Sequence, residues 1–460
     1  MQLDHEQQVA LDAMLAGQNV FLTGRAGTGK SAVINEFIHH HPADLVCVTP
    51  TGLAARNLAE AGTIHRTFGL PSGVLQPGNL DYILLEKRSF LHTLKTLLID
   101  EVSMVRSDTF NALDHLLRES ASSAEHSRLP FGGKQIIVVG DFYQLPPVVR
   151  EQAVEEYLEE RLNGIYAFNT LAWQRARFQN VELTQIHRQT EPEFIAFLNS
   201  VREMDTDLQE RLHDANERIA ANRSTDGLNG PICLCCSRDT ANKINAQALV
   251  QLPDTGVELI GEKWGEFPDD ELPVSQVLLV KRGMRIMLLG NRSHGTDIQQ
   301  YEYVNGDQGE VLCYDPIARV ILVKLDRGPI VNVTQTCWTH YEYTTWRNEE
   351  GKLQIVQDET GKFWQYPVMP AYATTIHKTQ GQTLAKVHVI LGDGCFAPGQ
   401  LYTALSRVRS FDSLTLDRPI RFADALGDAM VQAFMKDLNR SKWQVEETNH
   451  SLKPQSKKLQ

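Results

Sequence analysis

The stretch Asn19-Val-Phe-Leu-Thr-Gly-Arg-Ala-Gly-Thr-Gly-Lys-Ser31 joins a short apolar run to a glycine-rich turn. From Gly24 to Ser31 it has the spacing G-x-x-x-x-G-K-S of a phosphate-binding P-loop, and a helical pattern follows it to His40. In such a loop the backbone N–H groups close around phosphate oxygens, the lysine reaches the β- and γ-phosphates, and the hydroxyl ligates Mg²⁺. The stretch therefore predicts a strand, a nucleotide-binding turn and a helix, with ATP bound by Gly27, Thr28, Gly29, Lys30 and Ser31 and Mg²⁺ by Ser31.

An acidic pair follows a second apolar run about seventy residues further along the chain. The run Leu97-Leu-Ile99 predicts a short buried strand, and Asp100 and Glu101 come directly after it. Asp100 is then positioned to hold Mg²⁺ through water, and Glu101 to orient or deprotonate an attacking water molecule. An Asp-Glu pair alone is often only a solvated turn, and a glycine-rich turn alone can bind nothing. Because both motifs occur in one chain, the sequence predicts ATP hydrolysis.

The composition limits the class of protein. The chain has 460 residues, 42% of them hydrophobic, which is enough for two to four packed domains. It contains no apolar run long enough to span a membrane, and Asp4, His5 and Glu6 interrupt any signal pattern at the N-terminus. We therefore expect a cytoplasmic protein, associated with the nucleoid if it is bacterial. The formal net charge of −12 argues against a broad surface that coats nucleic acid and leaves room for a narrow basic path in a cleft.

Strand and helix signals alternate up to about residue 250, which predicts an α/β fold with parallel sheets. Residues 302–366 differ, because short strands joined by turns follow one another there; they predict a small all-β barrel inserted into an α/β domain. The α/β pattern then resumes at residues 386–391. The other predicted strands are 46–49, 97–99, 135–139, 181–183 and 232–236 in the α/β part, and 309–313, 319–324, 330–333 and 352–356 in the barrel.

The remaining motifs decide what the hydrolysis drives. They are, in chain order, Thr49-Pro-Thr-Gly-Leu-Ala-Ala55, Gly62-Thr-Ile-His-Arg-Thr-Phe68, Gly140-Asp-Phe-Tyr-Gln-Leu-Pro-Pro-Val148, Leu183-Thr-Gln-Ile-His-Arg-Gln189, Thr374-Thr-Ile-His-Lys-Thr-Gln-Gly-Gln-Thr383 and Tyr402-Thr-Ala-Leu-Ser-Arg407. In this order they resemble the motifs of superfamily 1 helicases, and most closely those of the petite-integration-frequency (Pif) family of 5′→3′ DNA helicases. Pro130-Phe-Gly-Gly-Lys-Gln135 is similar to a stretch peculiar to that family. The resemblance extends from about residue 3 to about residue 420.

The resemblance implies an α/β chain with two RecA-like P-loop NTPase domains and ATP between them. The first domain would comprise residues 1–68 and 93–180, and the second residues 181–301 and 367–425. Residues 69–92 would form a small wedge insertion in the first domain. Residues 302–366 would form an SH3-like barrel inserted in the second domain, and residues 426–460 a C-terminal helix and tail.

The resemblance also implies roles around the nucleotide. Gln7 corresponds to a glutamine that hydrogen-bonds adenine, and Gln144 to one that senses the γ-phosphate and the attacking water. Arg188 and Arg407 correspond to two arginines that reach the γ-phosphate from the second domain, where negative charge develops during phosphoryl transfer. The catalytic set implied in this way is Lys30, Glu101, Gln144, Arg188 and Arg407.

For the nucleic acid, the resemblance implies a single-stranded DNA channel across both domains. Hydroxyls, N–H groups and a lysine can hold phosphates without reading sequence, and aromatic rings can pack against a base or a sugar. For the two rings of the first domain, packing inside the protein core is the alternative. The residues implied are Thr51, His65 and Phe68 in the first domain and Thr375, His377 and Lys378 in the second.

We therefore expect a monomeric ATP-dependent helicase that needs ATP and Mg²⁺ and moves 5′→3′ on single-stranded DNA. Its partners would be single strands and junctions between single-stranded and duplex DNA, in replication, repair or recombination. G-quadruplex unwinding and telomere maintenance are expectations at the level of the family. The alternatives are a RecD-like helicase subunit of a multi-subunit nuclease, a nucleotide-gated binding switch that does not unwind, and RNA as the substrate.

Overall fold

The structure is a computed structural model that describes residues 3–40, 44–51, 58, 61–222, 230–294 and 297–438. Its first part is built on a six-stranded sheet with the strand order β3-β2-β4-β5-β1-β6, in which every pair of neighbours is parallel. The strands are β1 (Val20–Gly24), β2 (Leu45–Thr49), β3 (Gly62–Thr63), β4 (Thr96–Ile99), β5 (Gln135–Val139) and β6 (Gln179–Leu183). The predicted strands 46–49, 97–99, 135–139 and 181–183 all lie in this sheet.

Helices cover both faces of the six-stranded sheet, as parallel strands require. They are α1 (His5–Leu15), α2 (Lys30–His40), α3 (Ile64–Phe68), α4 (Asp81–Glu86), α5 (Arg88–Thr93), α6 (Ser107–Glu119), α7 (Gln152–Leu162) and α8 (Leu171–Ala176). Residues 429–438 are also helical, and Phe434 stacks on Phe168 with ring centroids 4.1 Å apart. This last helix therefore packs against the first α/β unit; residues 439–460 lie outside the described part of the chain.

A second α/β unit contains a four-stranded parallel sheet with the order β20-β7-β21-β22. Its strands are β7 (Ile232–Cys235), β20 (Ala373–Thr375), β21 (Val387–Ile390) and β22 (Leu414–Leu416). Its helices are α9 (Pro192–Glu203), α10 (Leu208–Ala220), α11 (Arg238–Gln251) and α12 (Gln400–Leu405). The unit has its own apolar core, so that the molecule contains two α/β units.

Between β7 and β20 the chain forms antiparallel sheets. One has five strands in the order β16-β15-β14-β11-β19, and another has three in the order β17-β18-β9; two further pairs are β8-β10 and β12-β13. The strands are β8 (Val257–Ile260), β9 (Glu262–Gly265), β10 (Val277–Val280), β11 (Arg285–Leu288), β12 (Arg292–His294), β13 (Asp297–Tyr303), β14 (Gln308–Asp315), β15 (Val320–Leu325), β16 (Ile330–Val333), β17 (Thr336–Arg347), β18 (Leu353–Gln365) and β19 (Val368–Pro370).

This antiparallel region is wider than the predicted span 302–366, since it begins at Val257 and ends at Pro370. Its first strands have four residues each and are separated by polar loops, which from sequence look like a solvated surface. The hairpin of β17 and β18 is long, and its paired residues run from Thr336 with Gln365 to Arg347 with Leu353. Within the described residues, no helix is long and apolar enough to cross a membrane.

Candidate nucleotide and nucleic-acid site

The glycine-rich turn links β1 to α2 and needs glycine at two positions. Gly27 and Gly29 have φ angles of +86° and +81°, in the left-handed region that side chains rarely adopt. A Cβ atom on Gly27 would also lie 2.6 Å from the Cβ of Arg188, and one on Gly29 would collide with the amide of Gln7. The turn is therefore compact, with other parts of the chain packed closely on it.

The lysine of the turn is held by the turn itself. Lys30 Nζ donates to the carbonyl oxygens of Gly24, at 2.7 Å, and of Arg25, at 3.0 Å. Burial lowers the pKa of Lys30, and the charges of Asp141, Glu101 and Asp100 act against this effect. No described carboxylate forms an ion pair with the Lys30 ammonium, so its charge is available to phosphate oxygens.

The other predicted nucleotide residues lie around the same turn. Thr28 is buried and its hydroxyl donates to Arg25 O at 2.9 Å. Gln7 takes part in the capping box that begins α1, and its Nε2 donates to Thr28 O at 3.2 Å. Ser31 is exposed in the first turn of α2. Gln7 thus contacts the P-loop, to which Ser31 itself belongs. Contacts of Gln7 with adenine and of Ser31 with Mg²⁺ remain predictions.

The acidic pair lies at the carboxyl end of β4, two strands away from β1 in the sheet. Asp100 is buried, and its Oδ1 accepts the N–H of Glu101 at 2.9 Å. Burial and the charge of Glu101 raise the pKa of the Asp100 carboxyl to about 7. A buried carboxylate that is costly to ionise is one that a nearby divalent cation would stabilise. Asp100 together with the exposed Ser31 hydroxyl therefore fits the predicted Mg²⁺ site.

Glu101 is held by a residue that lies outside the predicted set. Its backbone is left-handed, with φ +53°, which is rare for a residue with a side chain. Gln380 Nε2 donates to Glu101 Oε2 at 3.0 Å and also lies 3.4 Å from Ser103 Oγ. Gln380 belongs to the second α/β unit, 279 residues away in sequence. The proposed base is thus oriented by a side chain from the opposite side of the cleft.

Gln144 lies buried in the loop that follows β5. Its Oε1 has no hydrogen-bond partner among the described residues. A buried polar atom without a partner is costly and calls for an explanation. A water molecule or nucleotide oxygen within reach of this amide would supply one, which agrees with the predicted role of Gln144.

The two predicted arginines lie together, Arg188 in the segment between β6 and α9 and Arg407 directly after α12 of the second unit. Arg407 is completely buried and donates to the carbonyls of Thr403, Thr379 and Gln382 and, at 2.9 Å, to Ser406 Oγ. Burial, followed by the charge of Arg188, lowers the pKa of Arg407 to about 10.

The guanidinium of Arg188 donates to Ser406 O at 3.2 Å, and burial lowers its pKa. Neither Arg188 nor Arg407 has a carboxylate partner among the described residues. A buried and a half-buried guanidinium group without an acid are unfavourable unless an anion joins them. This agrees with the predicted contact of the pair with a phosphate.

The second unit touches the P-loop directly. The hydroxyl of Tyr402 in α12 accepts the backbone N–H of Ala26 at 2.8 Å. In the segment between β6 and α9, the backbone N–H groups of His187 and Arg188 also donate to Gly27 O, at 2.8 and 3.2 Å. The P-loop, the acidic pair and Gln144 thus face the two arginines across one cleft between the units. This is the arrangement in which charge can be neutralised from both sides of a transferred phosphoryl group.

The predicted DNA residues occupy strand ends of both sheets. Thr51 follows β2 and is half-buried, and His65 lies exposed in the first turn of α3. Thr375 ends β20 and is half-buried, like the two residues that follow in the next turn, His377 and Lys378. The imidazole of His377 stacks on the largely exposed ring of Phe396, with centroids 6.3 Å apart. Contact with DNA stays a prediction for these five residues.

Lys378 lies in an apolar setting. Its Nζ is 2.9 Å from the sulfur of Met369. Burial, followed by the charge of Arg238, lowers the pKa of Lys378 to about 8. Its ammonium group would gain from a phosphate partner.

Phe68 does not lie where the prediction puts it. Its side chain is completely buried in the core of the first unit and meets the ring of Phe90 edge-on, at 5.7 Å. A ring without exposed surface cannot stack on a nucleobase, so the predicted DNA contact is wrong for Phe68 and core packing is correct. The α3 helix turns this apolar residue inward while the neighbouring His65 faces outward.

Comparisons with known proteins identify the family of this chain. Residues 2–211 match the family model described as PIF1-like helicase. The chain is 32% identical to the ATP-dependent DNA helicase PIF1 of Danio rerio over 99% of this chain and 67% of that protein. It is also 32% identical to the ATP-dependent DNA helicase Pif1 of Bdellovibrio bacteriovorus, over 90% of this chain and 88% of the relative.

The chain belongs to the PIF1-like helicase family. A solved structure of Bacteroides Pif1 in complex with ADP-AlF3 and single-stranded DNA matches 96% of this PIF1-like chain and 98% of its own, with a TM-score of 0.79 and 33% identity. The predicted family is therefore confirmed, and so is an α/β fold with parallel-sheet cores.

Three residues of this PIF1-like helicase escaped the sequence reasoning. Gln380 and Tyr402 lie inside quoted motifs, but nothing in the motifs shows which of their side chains face the cleft. Arg202 lies in no motif and makes its contacts only through the fold. A polar residue on a helix is most often solvated, so that only the structure reveals its burial.

Proposed function

We propose that this PIF1-like helicase couples hydrolysis of Mg²⁺-bound ATP to 5′→3′ movement on single-stranded DNA and to unwinding of the duplex ahead. The observation that carries the proposal is the segment Thr374 to Thr383. Through Gln380 it holds the carboxylate of Glu101, and two residues earlier it carries Lys378, a predicted phosphate contact. A shift of this segment when DNA binds would therefore change the position of Glu101, the proposed general base for water.

In the proposed cycle the phosphates of ATP lie on the P-loop and Lys30. Ser31 and Asp100 would hold Mg²⁺, which neutralises charge on the phosphate oxygens. Glu101 accepts a proton from the attacking water, which Gln144 helps to orient. Arg188 and Arg407 stabilise the charge that develops on the transferred group, so that ATP draws the two units together and its hydrolysis releases them.

The finer architecture belongs to the same proposal. The two units act as RecA-like domains that grip the strand in turn. Residues 69–92 form a wedge at the junction, the antiparallel region an SH3-like accessory domain, and the working form is a monomer. The relative from Bacteroides was solved with single-stranded DNA, which supports a single strand as the ligand of the path formed by Thr51, His65, Thr375, His377 and Lys378.

The test is an unwinding assay with ATP on three substrates: a duplex with a 5′ single-stranded tail, one with a 3′ tail, and one with a 5′ RNA tail. We expect unwinding from the 5′ DNA tail and almost none from the 3′ tail. Glu101→Gln is the control, because it keeps ATP binding and loses turnover. Preferential unwinding from a 3′ tail would refute the polarity. DNA-stimulated hydrolysis without unwinding would identify a binding switch, and unwinding only with added subunits would identify a RecD-like component.

A further inference from the structure

A buried ion pair joins the two α/β units beside the P-loop. Arg202 lies in the last turn of α9, in the second unit, and Asp141 follows β5, in the first. The guanidinium donates to both carboxylate oxygens, at 3.1 and 3.0 Å, and the two side chains are 3% and 0% exposed. The ring of Tyr143 lies 4.2 Å from the guanidinium carbon. A bidentate pair of this kind, out of reach of water, holds its geometry strongly.

The hydroxyl of Tyr402 connects this ion pair to the P-loop. It accepts the backbone N–H of Ala26 at 2.8 Å and donates to Asp141 Oδ2 at 3.3 Å. Tyr402 lies in α12, which leads directly to Arg407. One hydroxyl therefore links the phosphate-binding turn, the buried carboxylate and the helix that precedes the arginine of the second unit.

The charges of the cluster alternate across the cleft. Glu203 accepts from Arg202 at 3.1 Å and from Arg25 of the P-loop at 3.1 Å. These outer groups are partly exposed, so their pairing is weak, whereas the inner pair is enclosed. The inner pair crosses from one unit to the other, and each unit alone would carry one uncompensated buried charge.

The carboxylate of this pair lies one hydrogen-bonded group away from the phosphate-binding turn, because the Tyr402 hydroxyl bridges Asp141 and the backbone N–H of Ala26. The bidentate contact with Arg202 offsets part of the charge of Asp141 at this place. Without it, an unpaired carboxylate would compete with the phosphates for Lys30 and would repel them.

We propose that Arg202 is a positioning residue that couples contact between the two units to the phosphate affinity of the P-loop. When the units meet, Arg202 neutralises Asp141, and the phosphate site becomes fully attractive to ATP. When they part, Asp141 is left without its cation near the P-loop, phosphate is bound more weakly, and the product leaves. The inference rests on the proposed function only in taking ATP as the nucleotide.

The test compares the affinities for ATP and for AMP of the full chain carrying Arg202→Met, Asp141→Asn or both, by calorimetric titration with Mg²⁺. Arg202→Met should weaken ATP by about tenfold or more and leave AMP nearly unchanged, because AMP lacks the phosphates that Lys30 reaches. Adding Asp141→Asn should restore ATP affinity to within about threefold, since the unpaired charge is then gone. Arg202→Lys keeps a positive charge but loses the bidentate geometry, so it should weaken ATP clearly less than Arg202→Met does.

Three results would overturn the proposal. One is equal weakening of ATP and AMP by Arg202→Met, which would indicate general damage to the site. Another is a double variant whose melting temperature recovers while its ATP affinity does not, which would leave the pair a structural role alone. The third is a loss in Arg202→Lys as large as that in Arg202→Met, because charge would then be irrelevant. The readouts are nucleotide affinity and thermal stability, so a failure of unwinding or polarity is detected separately.

Discussion

A single amide side chain connects the predicted catalytic carboxylate of Glu101 to the predicted DNA path. Gln380 Nε2 donates to Glu101 Oε2 at 3.0 Å and fixes a residue whose backbone is already in an uncommon conformation. A base must lie within hydrogen-bond reach of its water and be held there, and misplacement by about 1 Å can cost about a hundredfold in rate. Gln380 is thus a positioning residue for Glu101.

We predict that Gln380→Ala lowers the DNA-stimulated kcat for ATP by about tenfold or more, with KM for ATP changed by less than about threefold. Affinity for single-stranded DNA without nucleotide should stay close to the native value. Gln382→Ala is the matched control, because the Oε1 of Gln382 has no partner among the described atoms and its backbone carbonyl contact to Arg407 survives the change. Equal losses in both variants would show that the segment, and not the amide, is what matters.

The pKa of Lys378 leads to a prediction about pH. Burial and Arg238 lower it to about 8, below the usual range of a lysine. Below that pH the ammonium is charged and ready for a phosphate; above it, binding must take up a proton. Affinity for single-stranded DNA should therefore fall between pH 7 and pH 9, by up to about tenfold per pH unit above 8.

A substitution of Lys378 by arginine distinguishes the effect of the lysine from that of other titrating groups. Lys378→Arg should flatten the fall in affinity, because a guanidinium stays charged throughout that range. The measurement is a series of equilibrium titrations with a fluorescent oligonucleotide at constant ionic strength. The same pH dependence in both proteins would assign the effect to another group.

At this scale the sequence was informative where chemistry is local. The P-loop and the Asp100-Glu101 pair are contiguous, so spacing alone identifies them. The contact of Gln380 with Glu101 spans 279 residues and that of Arg202 with Asp141 spans 61, and no local pattern records either. The prediction for Phe68 was wrong for a related reason. The exposure of its ring depends on how the five-residue helix α3 is rotated against the core.

Among the larger elements, the hairpin of β17 and β18 makes an unexpected contact. Leu353 and Ile355 near its turn enter a small apolar cluster with Val74 and with residues of α7, namely Val154, Tyr157 and Leu158. Gln357 adds hydrogen bonds to Val74 N, at 3.1 Å, and to Ser72 O, at 3.0 Å. The hairpin thus joins the antiparallel region to the predicted wedge.

We predict that replacing Leu353 and Ile355 together by alanine loosens the hairpin, because each truncation of a buried side chain removes about 2–5 kcal/mol of packing. Unwinding of a 5′-tailed duplex should fall about fivefold or more, while the ATPase rate on single strands stays within about twofold. Val356→Ala is the control, since Val356 directly follows Ile355 on the same strand and has 41% of its surface exposed. A parallel loss of both activities would mean that the hairpin supports the whole fold.

The elements were predictable to the extent that they bury an apolar face. The strands of the parallel sheets can be predicted from sequence because they are covered on both sides and are therefore almost wholly apolar. In β1 and β5, at most one residue of each strand is not buried. The middle of β17 alternates polar and aromatic residues and is half-exposed, so its twelve-residue length has no hydrophobic signal. The same weakness hides the start of the antiparallel region at Val257.

For the whole molecule, the charge of −12 sets the expected dependence on salt. Binding to single strands should weaken with salt along a modest slope, with about 0.7 in log–log units for each phosphate contacted. Lys378→Ala should reduce the slope by about one such contact. Lys352→Ala, at the exposed turn of the hairpin and paired with Glu350, should leave it unchanged. A steep slope that neither variant alters would indicate a broad basic face instead of a narrow path.

The hairpin contact also makes the molecule a closed mechanical linkage of three bodies. The first unit meets the second across the nucleotide cleft, the second carries the antiparallel region in its own chain, and that region reaches back to the first unit at α7. In such a closed ring, a movement at one contact between two bodies requires a movement at another contact. Any widening of the cleft must be matched by bending of the connections to the antiparallel region or by sliding of Leu353 and Ile355 over α7. In the proposed cycle, a movement at the nucleotide would therefore be accompanied by a movement at the predicted wedge.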